Sequence, residues 1–270
     1  MEDSKGIYAE ERIAVPDEFA NVFSYFYTAR NDSAHPVHKT LIPSFQTIIA
    51  FNFGSPARVR FGDNALWVEQ CIVLGPLKRP IEYILPPDTH LLVVNFRDDA
   101  FYRFFGPVMF SEMIARHPDE LLEKSCFSEL WLRLKNESPH RRPGLILDFC
   151  RPYLRPRDAA FECITEARPD YVRMNAIRTI AQETGQSERN VQLNHKKYLG
   201  YTAKERSRYQ KFLNALRMSQ GISGKADWHQ IAEASGYYDQ SQLIHDFRHF
   251  MNVSPGQYLK FQAGICQTAS

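Results

Sequence analysis

Residues 227–258, DWHQIAEASGYYDQSQLIHDFRHFMNVSPGQY, repeat in outline residues 176–205, AIRTIAQETGQSERNVQLNHKKYLGYTAKE, and that repeat decides the fold of the chain's last third. Ile180-Ala181 corresponds to Ile231-Ala232, and each alanine precedes a glycine, Gly185 or Gly236, by four residues. Ser187 and Asp239 are N-cap residue types, each set four positions before an apolar or part-apolar stripe. The stripes are Val191, His195 and Tyr198 in one copy and Leu243, Phe247 and Phe250 in the other, at i, i+4, i+7 spacing. Thr202-Ala203 and Ser254-Pro255 then mark a further capped helix start in each copy.

Each copy therefore reads as a helix, a tight glycine-containing turn and a capped second helix. A small alanine in the first helix lets the second cross it closely, and glycine supplies the backbone freedom that ends the first. This is the chemistry of a helix-turn-helix, whose second helix enters the major groove. One such match is common among packed helix pairs; two in tandem are far more specific. Between them TAKERSRYQKFLNALRMSQG, residues 202–221, reads as one helix with Phe212, Leu213 and Leu216 available for packing. Roughly 19 helical residues span about 28 Å. Such a connector sets two reading helices about one DNA turn apart, roughly 34 Å, on one face of a duplex.

The stretch IAEASGYYDQSQLIHDFRHFMNVSPGQYL, residues 231–259, resembles the second motif of the AraC/XylS family of transcription regulators almost end to end. TIAQETGQSERNVQLNHKKYLGYTAKE, residues 179–205, is similar to the family's first motif. It departs from it at His195, where a bulky apolar residue is usual, and at Leu193, where arginine is usual; Asn252 stands where glycine is usual. The resemblance implies a DNA-binding domain of two helix-turn-helix units joined by a helix. It implies double-stranded promoter DNA as partner, with RNA polymerase, a small-molecule effector and a second copy of the chain as further candidates. It implies no cofactor and no enzymatic activity.

With Leu243 and Phe247 facing the core, Gln240, Ser241, Gln242 and His245 face outwards, where the family places its base contacts. Gln pairs bidentately with adenine, while Ser and His bond several base edges. The matching positions in the first unit are Arg189, Gln192 and Leu193. Arg189 suits guanine O6 and N7, and Leu193 offers only apolar contact, for instance to a thymine methyl. Lys196, Lys197, Lys204, Arg208, Lys211 and Arg248 are the candidate phosphate contacts, which supply affinity and register without sequence information. His195 reads as a tolerated core residue.

Charge follows the same division. Residues 171–260 hold 13 Lys/Arg against 7 Asp/Glu, a balance of +6, and residues 1–170 hold 20 against 24, a balance of −4. A basic segment beside a mildly acidic one suits a nucleic-acid binder with a separate partner domain.

Upstream, residues 37–105 are β-rich: VHKTLIPSFQTIIAFNFG, RVRFG, LWVEQCIVLG, IEYILP and HLLVVNF, separated by Gly, Pro, Asn and Asp signals. This spacing predicts a small barrel or sandwich. Beyond Pro107 the pattern turns helical. PDELLEKSCFSELWLRLKN, residues 118–136, puts Leu121, Leu122, Phe127, Leu130, Trp131 and Leu134 on one side of a single helix. The expected class is therefore α+β. Residues 1–170 form a β-rich sensor or dimerisation domain with trailing helices, and residues 171–262 an all-α DNA-binding domain.

The N-terminus MEDSKGIYAEERIAVPDEF lacks the apolar core of a secretory signal, and no stretch approaches the roughly 18 apolar residues needed to cross a bilayer. Five dispersed cysteines without a CxxC pair suit a reduced, cytoplasmic setting. His35, His38 and His90 raise a second class, a small-barrel ligand- or metal-binding enzyme, but no HxH pair or carboxylate set completes such a site. A third class is a protein-interaction adaptor that keeps the helix-turn-helix fold without binding DNA, with Leu193 and His195 as its sequence support. Phe101, Tyr102, Phe104 and Phe105 are expected to pack a helix on the sheet.

Overall fold

The computed structural model describes residues 7–106, 114–122, 124–166, 170–172, 175–220, 222, 226–261 and 265–266. It divides into two compact units between Pro156 and Arg157. Patterning placed that division near residue 170; the helix Ala159–Glu166, which falls between the two points, packs within the second unit.

Strands β1 (Tyr8–Ile13), β2 (Phe23–Asn31), β3 (Val37–Leu41), β4 (Ile48–Asn52), β5 (Ala57–Phe61), β6 (Asn64–Val68), β7 (Cys71–Gly75), β8 (Ile81–Leu85), β9 (Thr89–Phe96) and β10 (Ile114–Arg116) belong to the first unit. One sheet has the order β1-β2-β9-β4-β7-β10, and a second carries β3-β8-β5-β6 as neighbours. Neighbouring strands in both pair antiparallel. The sheets stay separate, so the barrel that the strand spacing also allowed is not closed.

The apolar runs explain the layering. Every residue of β4 and β7 is buried, and the side chains go alternately to opposite faces. Ile48, Ala50, Ile72, Leu74 and Val93 pack on Ala57, Val59, Val68, Ile81 and Leu85 of the second sheet. Ile49, Phe51, Val73, Leu92 and Val94 join a separate cluster with the helices that follow. Strands with no polar alternation are thus those covered on both faces. In β5, buried and exposed residues alternate, because the second sheet turns its outer face to solvent.

The helical cover consists of α1 (Ala100–Phe105), α2 (Pro118–Leu122), α3 (Cys126–Lys135) and α4 (Arg142–Cys150). Phe101, Phe104 and Phe105 of α1 join the core as expected, with Phe101 at 5.4 Å from Phe96 and 4.5 Å from Phe105, ring centre to ring centre, while Tyr102 is half-buried outside that cluster. Trp131 Nε1 donates to the Asn52 carbonyl at 2.7 Å and pins α3 to the end of β4. The segment read as a single helix over residues 118–136 is two helices, α2 and α3. The Asp119 carboxylate accepts from the Phe127 and Ser128 amides at 2.7 and 3.0 Å and from Ser128 Oγ at 2.7 Å. It thereby satisfies amide donors of the first turn of α3 that a continuous helix would have used internally.

His35 and His38 are exposed, while His90 on β9 is half-buried, and burial holds its imidazole below the usual range. Among the described residues no three His, Cys, Asp or Glu side chains are grouped to hold a metal ion. No helix among them is long and apolar enough to cross a membrane.

Replacing Asp119 by Ala removes three hydrogen bonds at the start of α3. The expected cost is about 1–2 kcal/mol, with Asp119→Asn retaining most of it, measured by urea denaturation of the full chain. Identical midpoints for wild type and Asp119→Ala would show the cap to be idle.

Candidate nucleic-acid interface

The second unit comprises α5 (Ala159–Glu166), α6 (Ala176–Thr184), α7 (Glu188–Leu199), α8 (Ala203–Ser219), α9 (Trp228–Ala234), α10 (Gln240–Met251) and α11 (Pro255–Phe261). Helices α6 and α7 form one helix-turn-helix and α9 and α10 the other, with α8 as the connector. Gly185 ends α6 at φ 66°, and Gly236 sits in the second turn at φ 88°. A Cβ on Gly236 would lie 2.6 Å from Val172 Cγ1, so the close approach as well as the backbone demands glycine. Asn252 takes the same left-handed conformation at the end of α10, φ 59°, where asparagine is the usual substitute for glycine.

Each second helix is capped as its sequence predicts. Ser187 Oγ accepts from the Asn190 amide at 3.2 Å, and Asp239 Oδ1 from the Gln242 amide at 2.8 Å. Thr202 and Glu205 form a reciprocal capping box that opens α8, and Ser254 with Gln257 does the same for α11.

Phe212 of α8, fully buried, anchors the second unit's core. Its ring lies 5.3 Å from Phe247 and 4.9 Å from Phe250, while Trp228 and Tyr258 each approach Phe247 to 5.8 Å. Edge-to-face and tilted pairs of this kind add to the burial of apolar area. Beside the first helix-turn-helix, Phe161 of α5 packs at 5.5 Å on Tyr198 of α7.

This packing turns the predicted readers outwards. Arg189, Gln192 and Leu193 are exposed on α7, and Gln240, Ser241, Gln242 and His245 are exposed on α10. Leu193 leaves 59% of its surface open to solvent. Tyr238, 91% exposed just before the α10 cap, was missed by the sequence reading. Gln192 and Lys204 line one cleft of about 500 Å³ between the starts of α6, α7 and α8, together with Tyr171, Glu188 and Ser207.

The predicted phosphate contacts divide into two groups. Lys196, Lys204 and Arg248 are exposed, and Lys211 is half-buried. Exposed Lys197 and half-buried Arg208 each face a carboxylate of the same unit. Lys197 Nζ donates to Tyr198 OH at 3.0 Å and lies 3.8 Å from Asp158, which accepts a short hydrogen bond from Tyr198 OH. Arg208 donates through Nε to Asp246 and through a terminal nitrogen to His245 Nδ1 at 2.9 Å. Asp246 is 4% exposed and also accepts from Tyr237 OH at 3.0 Å, whose titration burial pushes far upwards. A carboxylate buried among apolar neighbours needs such partners. The sequence signal was there: Asp246 stands beside Phe247 and three residues after Leu243, on the apolar side of the helix.

His195 is fully buried where the second copy has Phe247. Its Nε2 lies 2.8 Å from Tyr171 OH and its Nδ1 3.2 Å from the Tyr201 carbonyl. A carbonyl only accepts, so Nδ1 carries the proton and Nε2 accepts from the tyrosine. Burial above all, with a contribution from Arg206, lowers its pKa to about 4.

Residues 180–260 match the family model described as a helix-turn-helix domain. The C-terminal unit therefore carries a helix-turn-helix domain. Among solved structures, ToxT from Vibrio cholerae O395 is 16% identical with TM-score 0.44, covering 89% of this chain and 99% of its own. The DNA-binding domain of AdpA, in complex with a target DNA, is 18% identical with TM-score 0.32, covering 40% and 96%. The AraC-like transcriptional activator CuxR is 10% identical with TM-score 0.30, covering 77% and 86%. No curated protein sequence matches the chain.

The His195 environment predicts an acid-sensitive first helix-turn-helix. The native state favours the neutral ring, so its stabilising contribution is full above the unfolded pKa near 6.5 and is lost as pH falls towards about 4. The loss should reach about 3 kcal/mol in wild type. His195→Gln should flatten this dependence between pH 7 and pH 4.5, measured by denaturation of the full chain. An equal slope in wild type and variant would refute the assignment.

Proposed function

We propose that the chain is a sequence-specific transcription regulator that inserts α7 and α10 into successive major grooves of promoter DNA. The observation that supports this reading best is the paired set of capped helices, each with a mostly polar face outward and an i, i+4, i+7 stripe buried. Arg189, Gln192 and Leu193 on α7, and Gln240, Ser241, Gln242 and His245 on α10, are assigned to base edges. Lys196, Lys204, Lys211 and Arg248 are assigned to phosphates. Lys197 and Arg208, expected in that second group, are proposed instead to brace the unit, because their charges face Asp158 and Asp246.

The first unit is assigned the regulatory role, responding to a small-molecule effector or to a partner, with RNA polymerase and a second copy of the chain as the contacts a regulator needs. We assign the protein no catalytic step. Exposed Leu193 keeps the adaptor reading alive as the second hypothesis, since a leucine at this position contributes no hydrogen bond to a base.

Selection from a random duplex library, followed by binding across salt concentrations, separates these readings. Enrichment of two segments about one helical turn apart is expected. A single short segment would reduce α7 to backbone contact, and no enrichment at low salt with cell extract added would favour the adaptor. On the selected site, Gln240→Ala should change preference at one base pair by roughly 1–3 kcal/mol. Lys204→Ala should weaken all duplexes alike and flatten the salt slope by about 1. Lys197→Ala should leave the slope unchanged. Equal slopes for the two lysine variants would refute the division of cations.

A further inference from the structure

We infer that Arg208 fixes the tautomer of His245 and thereby the kind of base edge that α10 selects. The inference deepens the proposed function and rests on the assignment of His245 to a base. Arg208 reaches across from the connector α8 and grips α10 at two adjacent residues. Its Nε donates to Asp246 Oδ1, and one terminal nitrogen lies 2.9 Å from His245 Nδ1.

A guanidinium offers donors only and stays protonated in proteins. The contact with His245 is therefore a hydrogen bond only if Nδ1 is the acceptor. In the neutral imidazole the proton then resides on Nε2. The His245 side chain is 73% exposed, and no hydrogen bond within the unit engages Nε2 among the described residues. The ring thus presents an N–H donor at its outer end. The buried Asp246, held in turn by Tyr237 OH at 3.0 Å, keeps Arg208 from swinging away.

A fixed donor discriminates. In the major groove guanine offers N7 and O6, adenine N7 and thymine O4 as acceptors, whereas cytosine offers only its amino donor. With the opposite tautomer, Nε2 would accept from the amino groups of cytosine and adenine instead. Arg208 is in this account a positioning residue: it does not touch DNA, yet it decides that His245 selects an acceptor, with guanine the richest.

The test uses the full chain labelled with nitrogen-15. The imidazole spectrum near neutral pH should show His245 protonated at Nε2 and bare at Nδ1. In Arg208→Lys, which keeps a cation for Asp246 but lacks the forked second nitrogen, His245 should become a mixture of tautomers. On the selected duplex each base pair is then changed in turn, with 7-deazapurines at the purines. One pair should lose on the order of tenfold in affinity when its acceptor is removed. That loss should vanish in His245→Ala and shrink in Arg208→Lys.

Protonation at Nδ1 in the wild type, or an unaltered tautomer in a folded Arg208→Lys protein, overturns the role of Arg208. A preferred base that offers only an amino group overturns the predicted selectivity. The Nε2–H tautomer combined with indifference to every base change in wild type overturns instead the reading of His245 as a base contact. If Arg208→Lys fails to fold, the wild-type spectrum and the His245→Ala duplex series still decide.

Discussion

Phe212 of α8 stands between Phe247 and Phe250 of α10, and the rest of the second unit is arranged around that contact. An α-helix turns about 100° per residue, so a slip of α10 by one position would carry Phe247 out of the core and the exposed polar residues into it. Burying these aromatic rings therefore fixes more than stability. It sets the rotation of the helix, and with it the side chains that face outwards. Arg208 and Asp246 add a second, directional restraint one turn earlier on α8. Apolar packing tolerates small rotations, whereas a charge pair with Asp246 4% exposed tolerates few.

The two copies of the repeat meet the same geometric demand by different chemistry. Where the second copy has Phe247, the first has His195, and the loss of an apolar side chain is offset by hydrogen bonds to Tyr171 and Tyr201. Those partners lie outside the helix pair itself, one before α6 and one after α7. The first helix-turn-helix therefore depends for its register on segments that flank it, while the second depends on α8. A buried imidazole satisfied at both nitrogens is well tolerated when neutral and costly when charged. Helices α7 and α10 consequently share a shape but differ in what destabilises them.

The first unit follows a separate logic. Its central strands carry apolar residues without alternation because one face meets the second sheet and the other meets α1, α3 and α4. Trp131 and Asp119 convert this layering into a fixed arrangement, since each joins a helix to a hydrogen-bond partner distant in sequence or in a preceding turn.

The sequence by itself determined the helix-turn-helix pairs, their caps, the glycine turns and the outward set of residues on α7 and α10. All of these are local: a cap bonds within three residues, and a stripe at i, i+4, i+7 is visible without any partner. It likewise carried the β-rich character of residues 37–105, since strand propensity and turn residues are near neighbours. Tertiary structure alone decided that the strands form two open sheets, that residues 118–136 split into two helices, and that Ala159–Glu166 joins the second unit. It alone decided which cations face a carboxylate of their own unit. Lys197 and Arg208 look like any other basic residues in the chain, but their partners are 39 and 38 residues away, Asp158 and Asp246. Long-range electrostatic pairing leaves no period in the sequence, because it depends on which surfaces the packed helices bring together.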